Sequence, residues 1–261
     1  MLTILNQSTG YAIIKMGFKM KIAIQWLRSL LFNIQMYVAM FVVAIVFLVP
    51  MILSSEGARY GAKCYCRYVV WSARWIIGLK VDVRGVIPNA GVLVAAKHQS
   101  FFDILVIFDS LPRSKFVMKQ QILFMPIIGQ YASRMGCIPV NRGKRALAIR
   151  KMLSDVSSGS DLPGQLVIYP QGTRVPIGKK MPFKKGSGVL YKELDQDCVP
   201  VALNIGAFWP KRAVLRKQGT AVVEFLEPIG KGKSIPDFMK ILEARIEERS
   251  TALLEEVNFK T

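Results

Sequence analysis

The 261-residue chain holds one histidine, His98. It follows a strand-like run, VLVAAK, and Asp103 stands five positions later at the start of a helix-like run, ILVIF. A carboxylate on one imidazole nitrogen fixes the tautomer and supports the imidazolium that forms when the other nitrogen takes a proton. Such a pair is a general base without a nucleophile of its own. The same residues admit a structural reading. Ser100 and Asp103 have the spacing of a helix N-cap and its third residue, so that Ser100 caps and Asp103 completes a capping box. The five-residue spacing alone leaves both open.

Two further stretches supply groups for an anion. YPQGTRVPIGKKMPFKKGSG, residues 169–188, follows the apolar run QLVI and places Gly172, Thr173 and Arg174 at a strand end. Glycine allows close backbone approach, and arginine offers a planar fork suited to phosphate oxygens. Lys179, Lys180, Lys184 and Lys185 extend the positive field. In residues 118–145, Lys119, Arg142 and Lys144 bracket an apolar segment. No serine or cysteine has the setting of a covalent nucleophile. The four cysteines and single histidine are too few for a zinc site, and the thiols read as free and buried.

The elements that must position these groups fall into two parts. Residues 30–53, LLFNIQMYVAMFVVAIVFLVPMIL, carry no charge and are long enough to cross a bilayer core. Asn33, Gln35 and Pro50 interrupt them, and basic residues flank both ends, so a single-leaflet helix pair fits as well as a span. RYGAKCYCRYVVWSARWIIGLK then interleaves basic residues with Tyr and Trp, placing Trp71 and Trp75 on one helix face. From about residue 81, short strand-like runs recur (VDVRGV, GVLVAAK, KFVMK, GCIPVNR, QLVIYP, VPVALNIG, TAVVEFLEPIG). Helix-like stretches at 142–156 and 183–194 lie between some of them, and residues 235–257 form a C-terminal amphipathic helix. The pattern predicts an α/β domain. The chain divides into an N-terminal membrane-associated helical region, 1–79, and a domain of residues 80–261.

With 36 basic against 17 acidic residues the formal charge is +19, which calls for an anionic partner. Mean hydropathy is +0.32, high for a fully soluble domain. The apolar 30–53 segment argues against nucleic acid. A cationic site, one poised base and a lipid-facing helix together point to a phosphorylated amphiphile as substrate.

The ordered set of blocks resembles the glycerolipid acyltransferases, specifically the 1-acylglycerol-3-phosphate acyltransferases. The blocks are His98 with Asp103; Lys119, Pro126, Gly129 and Arg142; Gln171-Gly172-Thr173-Arg174; and Val199-Pro200-Val201. The resemblance runs from about residue 80 to 228 and makes 80–261 the catalytic domain. It implies a mixed sheet flanked by helices, of the glycerol-3-phosphate acyltransferase kind, behind an N-terminal membrane-binding helical segment. It further implies His98 as base and Asp103 as its orienter. Lys119, Arg142, Gln171, Gly172, Thr173 and Arg174 would bind substrate. The acyl donor would be acyl-CoA or acyl-carrier-protein, with no metal and no cofactor. The acceptor would be the sn-2 hydroxyl of lysophosphatidate. The expected place is the inner or cytoplasmic membrane, with the catalytic domain facing the cytoplasm. The family usually has glutamate where this chain has Gln171, which puts any carboxylate role there in doubt. Another lysolipid, such as lyso-ornithine lipid, and a non-catalytic basic membrane-surface protein are the alternatives.

Overall fold

A computed structural model describes residues 2–140 and 164–259. Arg142, Lys144 and the helix expected at 142–156 lie outside the described residues. Among the described residues, seven strands form: β1 (Leu79–Gly85), β2 (Leu93–Ala96), β3 (Lys115–Lys119), β4 (Ile138–Val140), β5 (Leu166–Ile168), β6 (Cys198–Leu203) and β7 (Gly219–Phe225). They form one sheet in the order β1-β7-β6-β2-β5-β3-β4. Each expected strand is present, with its ends displaced by up to five residues.

Neighbouring strands run parallel except at β6–β7. The five from β6 to β4 therefore share a direction, and β7 and β1 oppose them. Strands β2, β5 and β6 are buried along their whole length, as near-continuous apolar runs in a parallel sheet require. Alternation of side chains then builds two cores. Val94, Ala96, Val167 and Val201 face one core, shared with helices α3 (Ser55–Ile76) and α4 (Phe102–Ser110). Leu93, Ala95, Leu166 and Ile168 face the other, against α6 (Gly186–Leu194) and α7 (Ile235–Glu255). A short helix α5 (Ile128–Arg134) follows the turn holding Pro126. The expected mixed sheet between helices is observed.

The N-terminal part is a helical hairpin. Helix α1 (Leu2–Val46) and α2 (Leu48–Leu53) break between Val46 and Leu48 the apolar run read as one segment. The cause is Pro50, which has no N–H to give and whose ring crowds the carbonyl four residues back, at Val46. The chain then reverses into α3, where Ser54 caps by accepting from Gly57 N at 2.9 Å. The turn is close: a Cβ on Gly57 would meet Pro50 O at 2.1 Å, and one on Gly61 would meet Phe47 Cβ at 2.8 Å.

One side of α1 belongs to the domain. Phe32 and Met36 are in the core. Gln25 Nε2 donates to the carbonyls of Ile77 and Arg216, and Gln35 Nε2 to Ser72 Oγ. The other side is apolar and exposed, from Met20 through Phe41 to Val46, and continues into α2. Among the described residues, Lys19–Val46 is the one helix long and apolar enough to cross a membrane, and little of its apolar stretch is buried.

Candidate active site

Parallel strands put their carboxyl ends on one edge of a sheet, where α/β folds gather their sites. Here that rule collects the blocks. Strand β2 ends at Ala96 and leads to His98; β5 ends at Ile168 and leads to Gln171–Arg174; β3 ends on Lys119. These residues are up to 76 positions apart in the chain, and the common strand direction alone makes them neighbours at one edge.

At the centre, His98 Nδ1 lies 3.1 Å from Asp103 Oδ1 and 3.2 Å from Oδ2. Asp103 is fully buried, and 13% of the His98 side chain is exposed. With Nδ1–H donating to the carboxylate, Nε2 keeps its lone pair. The Tyr169 ring stacks on the imidazole at 3.9 Å between centroids and holds its plane. Burial, with Asp103 nearby, pushes the Tyr169 phenol well up, so it stays neutral.

The same carboxylate also organises the backbone. Asp103 Oδ2 accepts from Gln99 N and Ser100 N, each at 2.8 Å. The acid half of the capping box is thus present. The serine half is shifted: α4 begins at Phe102 with Phe101 at its cap, and Ser100 Oγ accepts from Phe102 N at 3.2 Å. The two N–H groups taken by Asp103 draw the chain into a turn before the helix, which leaves Ser100 one residue outside the expected position. Catalytic and capping readings of Asp103 are therefore one arrangement.

The Gly172–Arg174 turn is tied to this centre, since Val175 N donates to His98 O at 2.8 Å. Gly172 has φ +66°, and Lys184 covers the space a Cβ would fill. Lys211, which the sequence reading missed, joins here. Its Nζ donates to Arg174 O at 3.0 Å and lies 3.4 Å from Thr173 Oγ1. Desolvation first, then Arg174, Arg212 and Lys119, push the Lys211 ammonium down from its usual value. Those four cations share one field. Among the described residues, neither the Arg174 guanidinium nor the Lys119 ammonium is in an ion pair. No signal in the local sequence separates Lys211 from other surface lysines, because only the fold returns residue 211 to the turn.

Gln171 stands differently from its neighbours. Its side chain is turned inward, 1% exposed, with Nε2 3.4 Å from Glu247 Oε1 and 3.5 Å from Met181 O. This residue, expected among the substrate-binding ones, makes protein contacts behind the turn. Burial pushes the thiols of Cys66, Cys137 and Cys198 up, away from thiolate, and Ser100 is fully buried.

Residues 80–204 match the acyltransferase family model. The chain carries an acyltransferase-family domain. It is 26% identical to a 1-acyl-sn-glycerol-3-phosphate acyltransferase of Pseudomonas aeruginosa over 204 residues, covering 77% of this chain and 79% of that one. A human relative, 1-acyl-sn-glycerol-3-phosphate acyltransferase beta, is 28% identical over 174 residues, 62% of this chain and 60% of its own. The crystal structure of the 1-acyl-sn-glycerophosphate (LPA) acyltransferase PlsC from Thermotoga maritima superposes with a TM-score of 0.72 at 19% identity, covering 93% of this chain and 98% of that one. The acyltransferase fold thus extends beyond the matched segment, through the N-terminal hairpin and α7.

Proposed function

We propose that this acyltransferase moves an acyl group from acyl-CoA or acyl-carrier-protein to the sn-2 hydroxyl of lysophosphatidate, making phosphatidate for phospholipid synthesis. His98 Nε2 takes the hydroxyl proton as the oxygen attacks the thioester carbonyl. The tetrahedral intermediate collapses, the C–S bond breaks, and the departing thiolate takes the proton from the imidazolium. Asp103 holds the tautomer throughout. Arg174 grips the acceptor phosphate, with Lys119, Arg142 and Lys211 adding positive potential. General-base assistance is worth about 10²–10⁴-fold. Holding both substrates in attack geometry contributes up to roughly 7–11 kcal/mol of the barrier.

The observation that carries this reading is a histidine held by a buried carboxylate, beside Arg174 and Lys119, which have no carboxylate partner among the described residues. The Gln171 departure gives no ground for another head group, since its amide faces Glu247 within the protein. The test is phosphatidate formation by the purified chain from labelled acyl-CoA, or acyl-carrier-protein, across a panel of lysolipids. Lysophosphatidate should be the best acceptor, and His98→Ala should lose on the order of 10²–10⁴ in kcat while staying folded. A variant keeping more than about a tenth of the wild-type kcat would remove His98 as the base.

The membrane part of the proposal follows from α1. Its polar side is bonded to the domain between Gln25 and Gln35. Beyond Met36, Tyr37–Val46 is ten residues, or about 15 Å of helix. That is half of a roughly 30 Å hydrocarbon core. We place the α1–α2 tip in one leaflet, with the site held close to the lipid surface that supplies the acceptor.

A further inference from the structure

The C-terminal helix α7 reaches the site through Glu247. Its Oε2 lies 2.5 Å from Nζ of Lys97, the residue before His98. Its Oε1 lies 3.4 Å from Nε2 of Gln171, the residue before Gly172. Lys97 and Gln171 are 7% and 1% exposed. One carboxylate is thus shared between the neighbour of the base and the neighbour of the anion-binding turn. The same two segments also meet through Val175 N, which donates to His98 O.

We infer that Glu247 is a positioning residue, which sets His98 and the Gly172–Arg174 turn in register through Lys97 and Gln171. The amide at 171 follows from charge. Lys97 and Glu247 cancel, and a neutral group completes the contact. A carboxylate at 171 would put two negative charges on one lysine, while loss of Glu247 would leave a buried ammonium without its partner. Either imbalance is costly away from water, because an unpaired buried charge loses hydration and gains nothing. The turn or the strand end moves to relieve it, and a shift of about 1 Å between base and acceptor is worth roughly 10²-fold in rate. The positioning role rests on His98 being the base; the charge exchange between 171 and 247 does not.

The experiment compares wild type, Gln171→Glu, Glu247→Gln and the double exchange Gln171→Glu/Glu247→Gln. For each, kcat, acceptor KM and Tm are measured with lysophosphatidate and acyl-CoA. Each single change should lower kcat by about tenfold or more at a temperature where the variant is folded, as misplacement of the base predicts. Acceptor KM should move less than kcat. The double exchange restores one carboxylate to one lysine and should recover kcat and Tm, the non-additivity expected of coupled neighbours. A double variant as impaired as the two singles combined would overturn the inference. So would singles whose kcat falls only with their folded fraction. If the singles do not fold, Lys97→Met/Glu247→Leu removes both charges and should fold, because apolar pairs replace buried ion pairs readily. It should lose kcat, and unchanged kcat would overturn the positioning role. A wild type inactive on lysophosphatidate would sink the proposed function, while coupling between 171 and 247 would still be read from Tm.

Discussion

At the scale of single residues, the Asp103 carboxylate serves three partners, His98 Nδ1 and the N–H groups of Gln99 and Ser100. In Asp103→Asn the amide oxygen can keep the backbone contacts, but its NH2 then faces His98 Nδ1. That reverses the tautomer, puts the proton on Nε2 and removes the base. We expect kcat to fall on the order of 10²–10⁴. The weakened turn should lower stability by about 1–3 kcal/mol. Kinetics below the variant's Tm separate the two effects: normal kcat with a lowered Tm would leave Asp103 only its capping role. His98 and Asp103 were legible because they lie five apart across a strand-to-helix turn and head the ordered set of blocks. Lys211 and Glu247 were not, lying 37 positions from Arg174 and 76 from Gln171. Gln171 was legible as a departure but not as a contact, since its partner sits on the last helix.

At the scale of elements, the hairpin shows what an apolar run can and cannot disclose. Asn33 and Gln35 interrupt the 30–53 segment as flaws in a span. In the structure they are contacts: Asn33 Oδ1 accepts from Arg216 Nη2 at 3.3 Å, and Gln35 bonds Ser72. Periodicity marks the apolar side, but the docked side depends on residues that only the fold brings near. The return into α3 rests on Gly61, where a Cβ would strike the Phe47 ring. Gly61→Val should force α2 away from α3 and expose the core there. Such overpacking costs about 1–3 kcal/mol, or a Tm loss of roughly 2–10 °C in a chain of this size. Scanning calorimetry would read it, and His98–Asp103 chemistry should persist at low temperature because that pair lies outside the hairpin. An unchanged Tm would mean the turn has room that its geometry denies.

At the scale of the whole molecule, the proposed membrane docking rests on two sources of affinity, and they can be separated. One is the apolar tip of α1 and α2, where Phe41, Ile45 and Leu48 are 56%, 73% and 47% exposed. The other is the +19 charge, part of it on the α3 face with Arg67, Arg74, Trp71 and Trp75 exposed. Burying three such side chains in lipid is worth about 5–9 kcal/mol, and salt does not screen it. The electrostatic part does screen, since the Debye length falls from about 30 Å at 0.01 M to about 3 Å at 1 M. We therefore expect wild type to stay on anionic vesicles at both salt concentrations. Phe41→Asp/Ile45→Asp/Leu48→Asp changes only exposed positions, so it should fold normally, stay bound at about 0.01 M and release at about 1 M. On uncharged vesicles the triple variant should sediment far less than wild type, because the charge term is absent and the apolar tip then carries three carboxylates. Retention equal to wild type in high salt would move the anchor from the hairpin tip to the Trp71–Trp75 face of α3. The domain would then sit on the bilayer by its flank, and lipid would reach the His98 edge of the sheet from a different side.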